Sequence, residues 1–363
     1  RWFVAGTMWV EADALLTGGE SFVRQLTEGA RYAREELGVA TSEVWLPDSF
    51  GYSAALPQLF ALAGKRHVFT QKLSWNEVNR MPSSTFLWEG IDGTRVLTHF
   101  SPTDTYNGAM SVAELLLSER QFVEGDRAKQ WMMPYGYGDG GGGPTREMVA
   151  NGRRMADLEG VPKVVFSRPD RFFKAAEAEL TDPDVWSGEL YLEKHRGTYT
   201  SQHRTKQGNR RAEAWLREVE GWSAAATVHQ GLPYPYDELR ALWRTVLYNQ
   251  FHDILPGSSI AWVHDDAESD HAEVIESAGA LLQRAAAPLG GFAAEDDSVA
   301  VAADRLPNDG ARLSNGLVTA TFDPRGRLVS LLRDGREVVS DGSVLGELHL
   351  HDDVPNNYDA WDI

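Results

Sequence analysis

The sequence contains no cysteine. That excludes a disulfide scaffold and any thiolate metal site, so a metal bound here would rely on His, Asp and Glu. A reducing cytosol agrees with this composition. Positive charge is also scarce, with 35 Lys and Arg against 53 Asp and Glu and a formal net charge of −18. Nucleic-acid backbones and anionic membranes are gripped by Lys and Arg, so neither is the expected partner; a neutral ligand suits this charge better. No apolar run approaches the ~20 residues of a membrane span, and no secretory signal is readable. The expectation is a soluble, cytoplasmic protein.

The 363 residues exceed what one hydrophobic core usually holds, and a 42% hydrophobic content can fill two or three. Up to about residue 170 the pattern alternates between helical and strand periods. The segment 21–37 repeats apolar residues at helical spacing (Phe22, Val23, Leu26, Ala30, Ala33, Leu37), "SEVWLPD" at 42–48 reads as a short strand, and 54–65 as a helix closed by Gly64. "HVFTQK", "RVLTHF", "QWMMPY" and "KVVFS" are further strand candidates. Strand, helix, strand in this order predicts a parallel sheet, open or closed into a barrel, with functional residues past the strands' C-terminal ends.

From about Gly188 two amphipathic stripes follow, one with Trp215, Leu216, Val219 and Trp222, the other with Leu239, Trp243, Val246 and Leu247. With a third helix over 261–287 they predict a small antiparallel bundle. A linker-like stretch at 293–310 precedes alternating β pattern with turns near Pro324–Gly326 and Asp334–Gly335. The expected fold is multidomain α/β: a (β/α) barrel-like catalytic domain with parallel sheet over 1–187, a three-helix bundle over 188–290, and the beginning of an antiparallel β-sandwich domain over 291–363. The chain opens on Arg1 and strand-like "WFVAG" and stops at "YDAWDI", which reads as a fragment.

Four segments could carry chemistry. In "WLPDSFGYS", Pro47 stiffens the approach and Gly51 permits a sharp exit, which suits an exposed, precisely turned Asp48. A strand-ending turn in which Asp bonds its own backbone is the simpler reading. Asp139 precedes Gly140–Gly143, where bare backbone would leave it unshielded; a flexible loop fits as well, but a phosphate cradle does not, because no Lys or Ser follows at P-loop spacing. His252 and Asp253 stand at the end of a helix broken by Pro256 and Gly257, as dipole-stabilised residues or as a metal ligand and a sugar-binding carboxylate. Residues 189–210, with His195, Arg196, Tyr199, Thr200, Ser201 and Gln202, could line a polar groove or simply join domains. Two carboxylates on neighbouring strand ends are what glycoside hydrolysis needs, and Trp9, Trp45, Phe50, Tyr106 and Tyr135 could stack on sugar faces.

Taken together, "GTMWVEAD", "WLPDSFGYSAALPQL", "FLWEGIDGTRVLTHFSPTDTYNG", "YGYGDGGGGPTREM", "HRGTYTSQHRTKQGNR", "YNQFHDILPGSS" and "NNYDAWDI" resemble, in this order, glycoside hydrolase family 38, the retaining, metal-dependent α-mannosidases, and most closely its cytosolic and bacterial branch. The resemblance implies hydrolysis of terminal α-linked mannose, with Asp48 as nucleophile and zinc ligand, His252 as a second zinc ligand, and Asp139 as general acid/base. Tyr106, Asn107, Lys72 and Asp253 would contact substrate; Asn107 and Lys72 replace the Asp and Arg of Golgi-type relatives. The family takes two more zinc ligands from a His-x-Asp motif upstream of "GTMWVEAD", where this chain has only "RWFVA", so the chain alone is expected to bind zinc weakly and to be inactive. A non-catalytic carbohydrate-binding protein on the same barrel is the alternative. A deacetylase would need His clusters, and His67 and His99 are too isolated. A homo-oligomer is compatible with the sequence.

Overall fold

The computed structural model describes residues 3–291, 300–352, 354 and 361. Contacts divide the chain into two units, Arg1–Ala285 with Pro355–Ile363, and Ala286–Val354. In the first, chain order runs α1 (Gly19–Leu37), β1 (Glu43–Trp45), α2 (Leu56–Leu62), β2 (His67–Thr70), β3 (Thr85–Glu89), β4 (Arg95–Phe100), α3 (Val112–Gln121), α4 (Arg146–Arg154), α5 (Pro169–Glu179), β5 (Val185–Ser187), α6 (His203–Gln230), α7 (Tyr236–Tyr248) and α8 (Ala261–Ala286).

The five strands form one mixed sheet, ordered β1-β2-β4-β3-β5. β1/β2, β2/β4 and β3/β5 are parallel; β3/β4 is antiparallel, which corrects the wholly parallel expectation. The reason is local. "GIDG" joins β3 to β4 as a tight hairpin, with Gly93 at φ 83° and Gly90 N–H bonded to Thr94 O at 2.9 Å. Two expected strands do not enter the sheet. Both edges of β4 are taken by β2 and β3, and Met132 N–H in "QWMMPY" donates to the His99 imidazole at 3.2 Å. In "KVVFS" Val164 N–H turns back to Met155 O.

Apolar residues at alternating strand positions and at helical spacing meet on one side of the sheet. Phe22 and Leu26 of α1, Phe60 of α2, and Val44, Val68, Phe86 and Trp88 of the strands share one core. α6, α7 and α8 share another, through Leu216 and Val219, Trp243 and Val246, and Val274 and Leu281. Among the described residues no helix is long and apolar enough to cross a membrane.

The second unit is an antiparallel sheet ordered β10-β9-β8-β7-β6, made of β6 (Ala302–Arg305), β7 (Ala311–Ser314), β8 (Val318–Phe322), β9 (Leu328–Arg333) and β10 (Arg336–Glu337). Its turns fall at the expected Pro324–Gly326 and Asp334–Gly335. The expected linker is partly structured, since β6 lies within it, while positions 293–299 lie outside the described residues, as do 356–360, 362 and 363 of the last motif.

A close backbone approach fixes the segment ahead of α1. Residues 7–13 run along that helix, with Trp9 N–H bonded to Gln25 O at 2.8 Å. At Gly29 a Cβ would sit 2.2 Å from both Met8 C and Thr7 O. Gly29→Ala is therefore expected to destabilise the protein by about 3 kcal/mol, at the upper end of overpacking costs because both obstacles are backbone. Urea unfolding measures this, and a loss below about 1 kcal/mol would contradict the packing described.

Candidate active site

Parallel strands β1 and β2 are neighbours, so the residues just past their C-terminal ends emerge side by side. Asp48 follows β1, and Lys72 opens the short 3-10 turn Lys72–Trp75 after β2. Gln71 N–H bonds Pro47 O at 3.0 Å, tying the two exits together. The Asp48 turn is fixed from several sides. Ser49 Oγ donates to Ala12 O at 2.8 Å, and the Tyr52 hydroxyl donates to Leu46 O at 2.7 Å. Gly51 takes φ 108°, where a side chain would be strained and would press on Leu190 O at 3.3 Å.

The Asp48 side chain is 17% exposed and Lys72 only 3%, with Lys72 Nζ 2.8 Å from Asp48 Oδ1. His252 reaches the other oxygen. Past α7 the chain pairs with segment 7–13, through an antiparallel bridge between Ala12 and Phe251. His252 N–H donates to Glu11 O at 3.1 Å, and His252 Nδ1 lies 2.8 Å from the same carbonyl. A carbonyl accepts only, so Nδ1 carries a proton, and Nε2 faces inward, a lone pair in the neutral ring and an N–H donor toward the carboxylates in the imidazolium. Nε2 stands 3.6 Å from Asp48 Oδ2 and 3.6 Å from Asp253 Oδ2.

Burial by itself would push Asp48 up; the His252 imidazole and Lys72 ammonium beside it outweigh burial and hold the carboxyl below its usual range. The converse applies to His252, which burial pushes down and Asp48 and Asp253 raise above its usual value. Tyr106 is pushed far up, first by burial and then by the Asp48 carboxylate, with smaller contributions from Asp139 and Asp253. One phenol thus feels all three expected carboxylates.

Asp139 is exposed, on the glycine loop. Asn107 Oδ1 accepts the N–H groups of Gly138 at 2.8 Å and of Asp139 at 3.0 Å, so Asn107 fixes that loop's backbone. Asp253 Oδ1 accepts from Ser258 Oγ at 2.6 Å.

The donors suit a metal as far as they go. An imidazole whose Nδ1–H is given to a carbonyl and whose Nε2 faces a carboxylate is the usual arrangement of a ligating histidine. Asp48 Oδ1 is buried and has the Lys72 ammonium 2.8 Å away, while Oδ2 faces His252. Among the described residues, however, no group of three His, Asp or Glu gathers around one point, and a catalytic zinc takes about three protein ligands. Asp48 and His252 are two donors that face each other here, 3.6 Å apart.

Around the expected residues stand three that the sequence did not single out, Trp75, Trp361 and Glu11. Lys72 Nζ sits over the rings of Trp75 at 4.0 Å, Phe50 at 5.0 Å and Trp361 at 5.4 Å. His195, fully buried, stacks on Trp361 at 4.2 Å and against Phe50 at 4.5 Å; burial, then Lys72, pushes its pKa to about 3, so it stays neutral. Glu11 is pushed up by burial, against the pull of His252. "WVEAD" and "DAWDI" drew attention only as motifs; nothing local marks Glu11 or Trp361. Of the expected aromatic platforms Phe50 is at the site, whereas Trp9 packs on Tyr32, Trp45 stacks on Phe69 and Tyr135 meets Phe166. In 189–210 the bonding is largely structural: Lys206 Nζ donates to Pro256 O at 3.0 Å, and Arg210 to Leu16 O at 2.9 Å.

The raised His252 pKa carries a signed consequence. In metal-free protein the interaction with Asp48 stabilises the fold fully below the unfolded histidine value, ~6.5, and the gain is lost as pH rises through the higher folded value. Asp48→Asn removes the main cause and leaves burial, so the His252 midpoint should fall below that of the unsubstituted protein in an NMR titration. An unchanged midpoint would refute the coupling.

The family model described as the glycosyl hydrolases family 38 N-terminal domain matches residues 1–189, and the alpha mannosidase middle domain matches 193–289. The chain is 37% identical over 414 residues to alpha-mannosidase 2C1 of Homo sapiens, covering 99% of this chain and 40% of the relative. It is 47% identical over 271 residues to alpha-mannosidase G of Dictyostelium discoideum (74% and 25% covered), and 41% over 276 residues to an alpha-mannosidase of Saccharomyces cerevisiae (73% and 25% covered). A solved alpha-mannosidase from Enterococcus faecalis V583 superposes with a TM-score of 0.69 at 21% identity, covering 78% of this chain and 34% of that one, which speaks for the fold alone. The chain thus spans 40% or less of the length of these curated relatives. With the N-terminal domain model matching more than half of its residues, the chain belongs to glycoside hydrolase family 38.

Proposed function

We propose that this chain carries most of the catalytic residues of a retaining α-mannosidase acting on terminal α-linked mannose of oligosaccharides or glycans. The observation that supports it best is the Asp48 carboxylate, kept anionic in a mostly buried place between Lys72 and His252. Asp48 attacks the anomeric carbon and forms the glycosyl–enzyme ester; Asp139 protonates the leaving oxygen and later takes a proton from the attacking water. Exposure suits Asp139 for that exchange with solvent, and Asn107 holds its backbone. Tyr106, kept protonated, donates beside the reacting centre. Asp253 accepts from mannose hydroxyls, and Lys72 fixes one oxygen of the nucleophile.

Asp48 and His252 would hold a zinc ion, which when bound polarises the sugar beside the reacting carbon. Two donors are too few for tight binding, and a His-x-Asp pair upstream would complete the set. The same reading takes the mixed sheet as part of a (β/α) barrel-like domain, α6–α8 as a three-helix bundle and the second unit as the start of a β-sandwich, in a cytoplasmic, homo-oligomeric protein.

Metal analysis after dialysis should find zinc well below one per chain in the 363-residue polypeptide; stoichiometric metal would overturn the half-site reading. In a longer protein carrying this chain and the upstream donors, Asp48→Ala should lower kcat on an aryl α-mannoside by more than about 10³-fold. Asp139→Ala should cost about 10²–10⁴-fold with poor leaving groups and less with activated aryl ones. Full activity of the first variant would end the nucleophile assignment.

A further inference from the structure

Three rings face the Lys72 ammonium, and only one of them is open to solvent. Phe50 is buried and Trp361 packs on His195, whereas Trp75 is 38% exposed. The Trp75 ring centre lies 4.0 Å from Lys72 Nζ, and that ammonium stands 2.8 Å from Asp48 Oδ1. A single charged group therefore separates the indole from the nucleophile carboxylate. The indole N–H of Trp75 meets no acceptor among the described residues.

The exposed indole is also held still. It ends the short turn Lys72–Trp75, in which Ser74 N–H donates to Gln71 O at 3.0 Å and Asn76 N–H to Leu73 O at 3.1 Å. Buried Asn76 joins that turn to residues 191–193. Its Nδ2 donates to Tyr191 O at 3.0 Å, and its Oδ1 accepts from Glu193 N–H at 2.8 Å. The nearly buried Glu193 carboxylate accepts the N–H groups of Glu77, Val78 and Asn79, each at 2.8 Å, and the Asn79 side-chain amide at 2.6 Å. One carboxylate thus fixes the stretch after Trp75, although Glu77, Val78, Asn79 and Arg80 are all exposed. A surface ordered before its ligand arrives loses less entropy on binding.

Covering Lys72 needs only a buried ring, which Phe50 already provides. An ordered indole that also faces solvent suits the C–H face of a pyranose, with a sugar hydroxyl on the free N–H. A neutral ring agrees with the chain's net charge of −18. Where a terminal mannose is removed, every further sugar ring belongs to the leaving group. We propose, on the α-mannosidase reading above, that Trp75 stacks on a sugar ring of the leaving group and so makes the enzyme favour oligosaccharides over mannosides with small aglycones.

The test uses the longer protein that carries this chain and the upstream donors. It compares kcat/KM for the best cleaved of the α-linked mannobioses with that for methyl α-mannoside, whose leaving group has no ring. The unsubstituted protein should prefer the mannobiose. Trp75→Ala should lower kcat/KM on the mannobiose about tenfold more than on methyl α-mannoside. Trp75→Phe, which keeps a flat face, should retain most of the preference. An equal loss on both substrates would mean that the ring acts only through Lys72, and overturns the proposal. So does the absence of any loss, or a Phe variant no better than the Ala one. If the unsubstituted protein cleaves neither these substrates nor an aryl α-mannoside, the α-mannosidase reading itself fails and the platform falls with it.

Discussion

Asp48 can stay charged in a mostly buried position only while two groups of opposite character flank it. Removing a carboxylate from water is costly, and each unit of pKa is worth about 1.4 kcal/mol. Lys72 on one oxygen and His252 near the other offset that cost. Each depends in turn on a further arrangement. Lys72 is itself buried and faces three aromatic rings, while His252 is oriented by a backbone carbonyl that no side-chain substitution deletes. The reactive geometry therefore rests on groups outside the reaction.

Segment 7–13 is the strap that joins these parts. It packs on α1 at Gly29, pairs with the chain after α7 at Ala12 and Phe251, and receives the Ser49 hydroxyl from the Asp48 turn. Gln25 of α1 donates to Leu247 O at 2.8 Å and to Gln250 Oε1 at 3.2 Å, closing the same junction from the other side. Sheet and helical region can hold a common site because this one strand of backbone is bonded to both. A displacement of about half an ångström there would change the distance between His252 and Asp48.

α1 has a second role on another face. Glu28 accepts from Arg31 of its own helix and from Arg240 and Arg244 of α7, so one nearly buried carboxylate binds α1 to α7.

Much of the architecture could be read from the sequence because period and punctuation are local. The apolar spacing in 21–37 is a helix, and the Pro and Gly around Asp48 and in the β8–β9 turn do what their backbone limits require. Seven ordered motifs carried the family and pointed to residues 48, 72, 106, 107, 139, 252 and 253. The third dimension decided the rest. Whether "QWMMPY" becomes a strand depends on a free sheet edge, which β4 does not have. The carbonyl of Glu11 orients His252 irrespective of its side chain, and Trp361 joins the Lys72 rings from the far end of the chain. Desolvation and charge–charge interaction depend on distance in space, and separation along the sequence carries no measure of it.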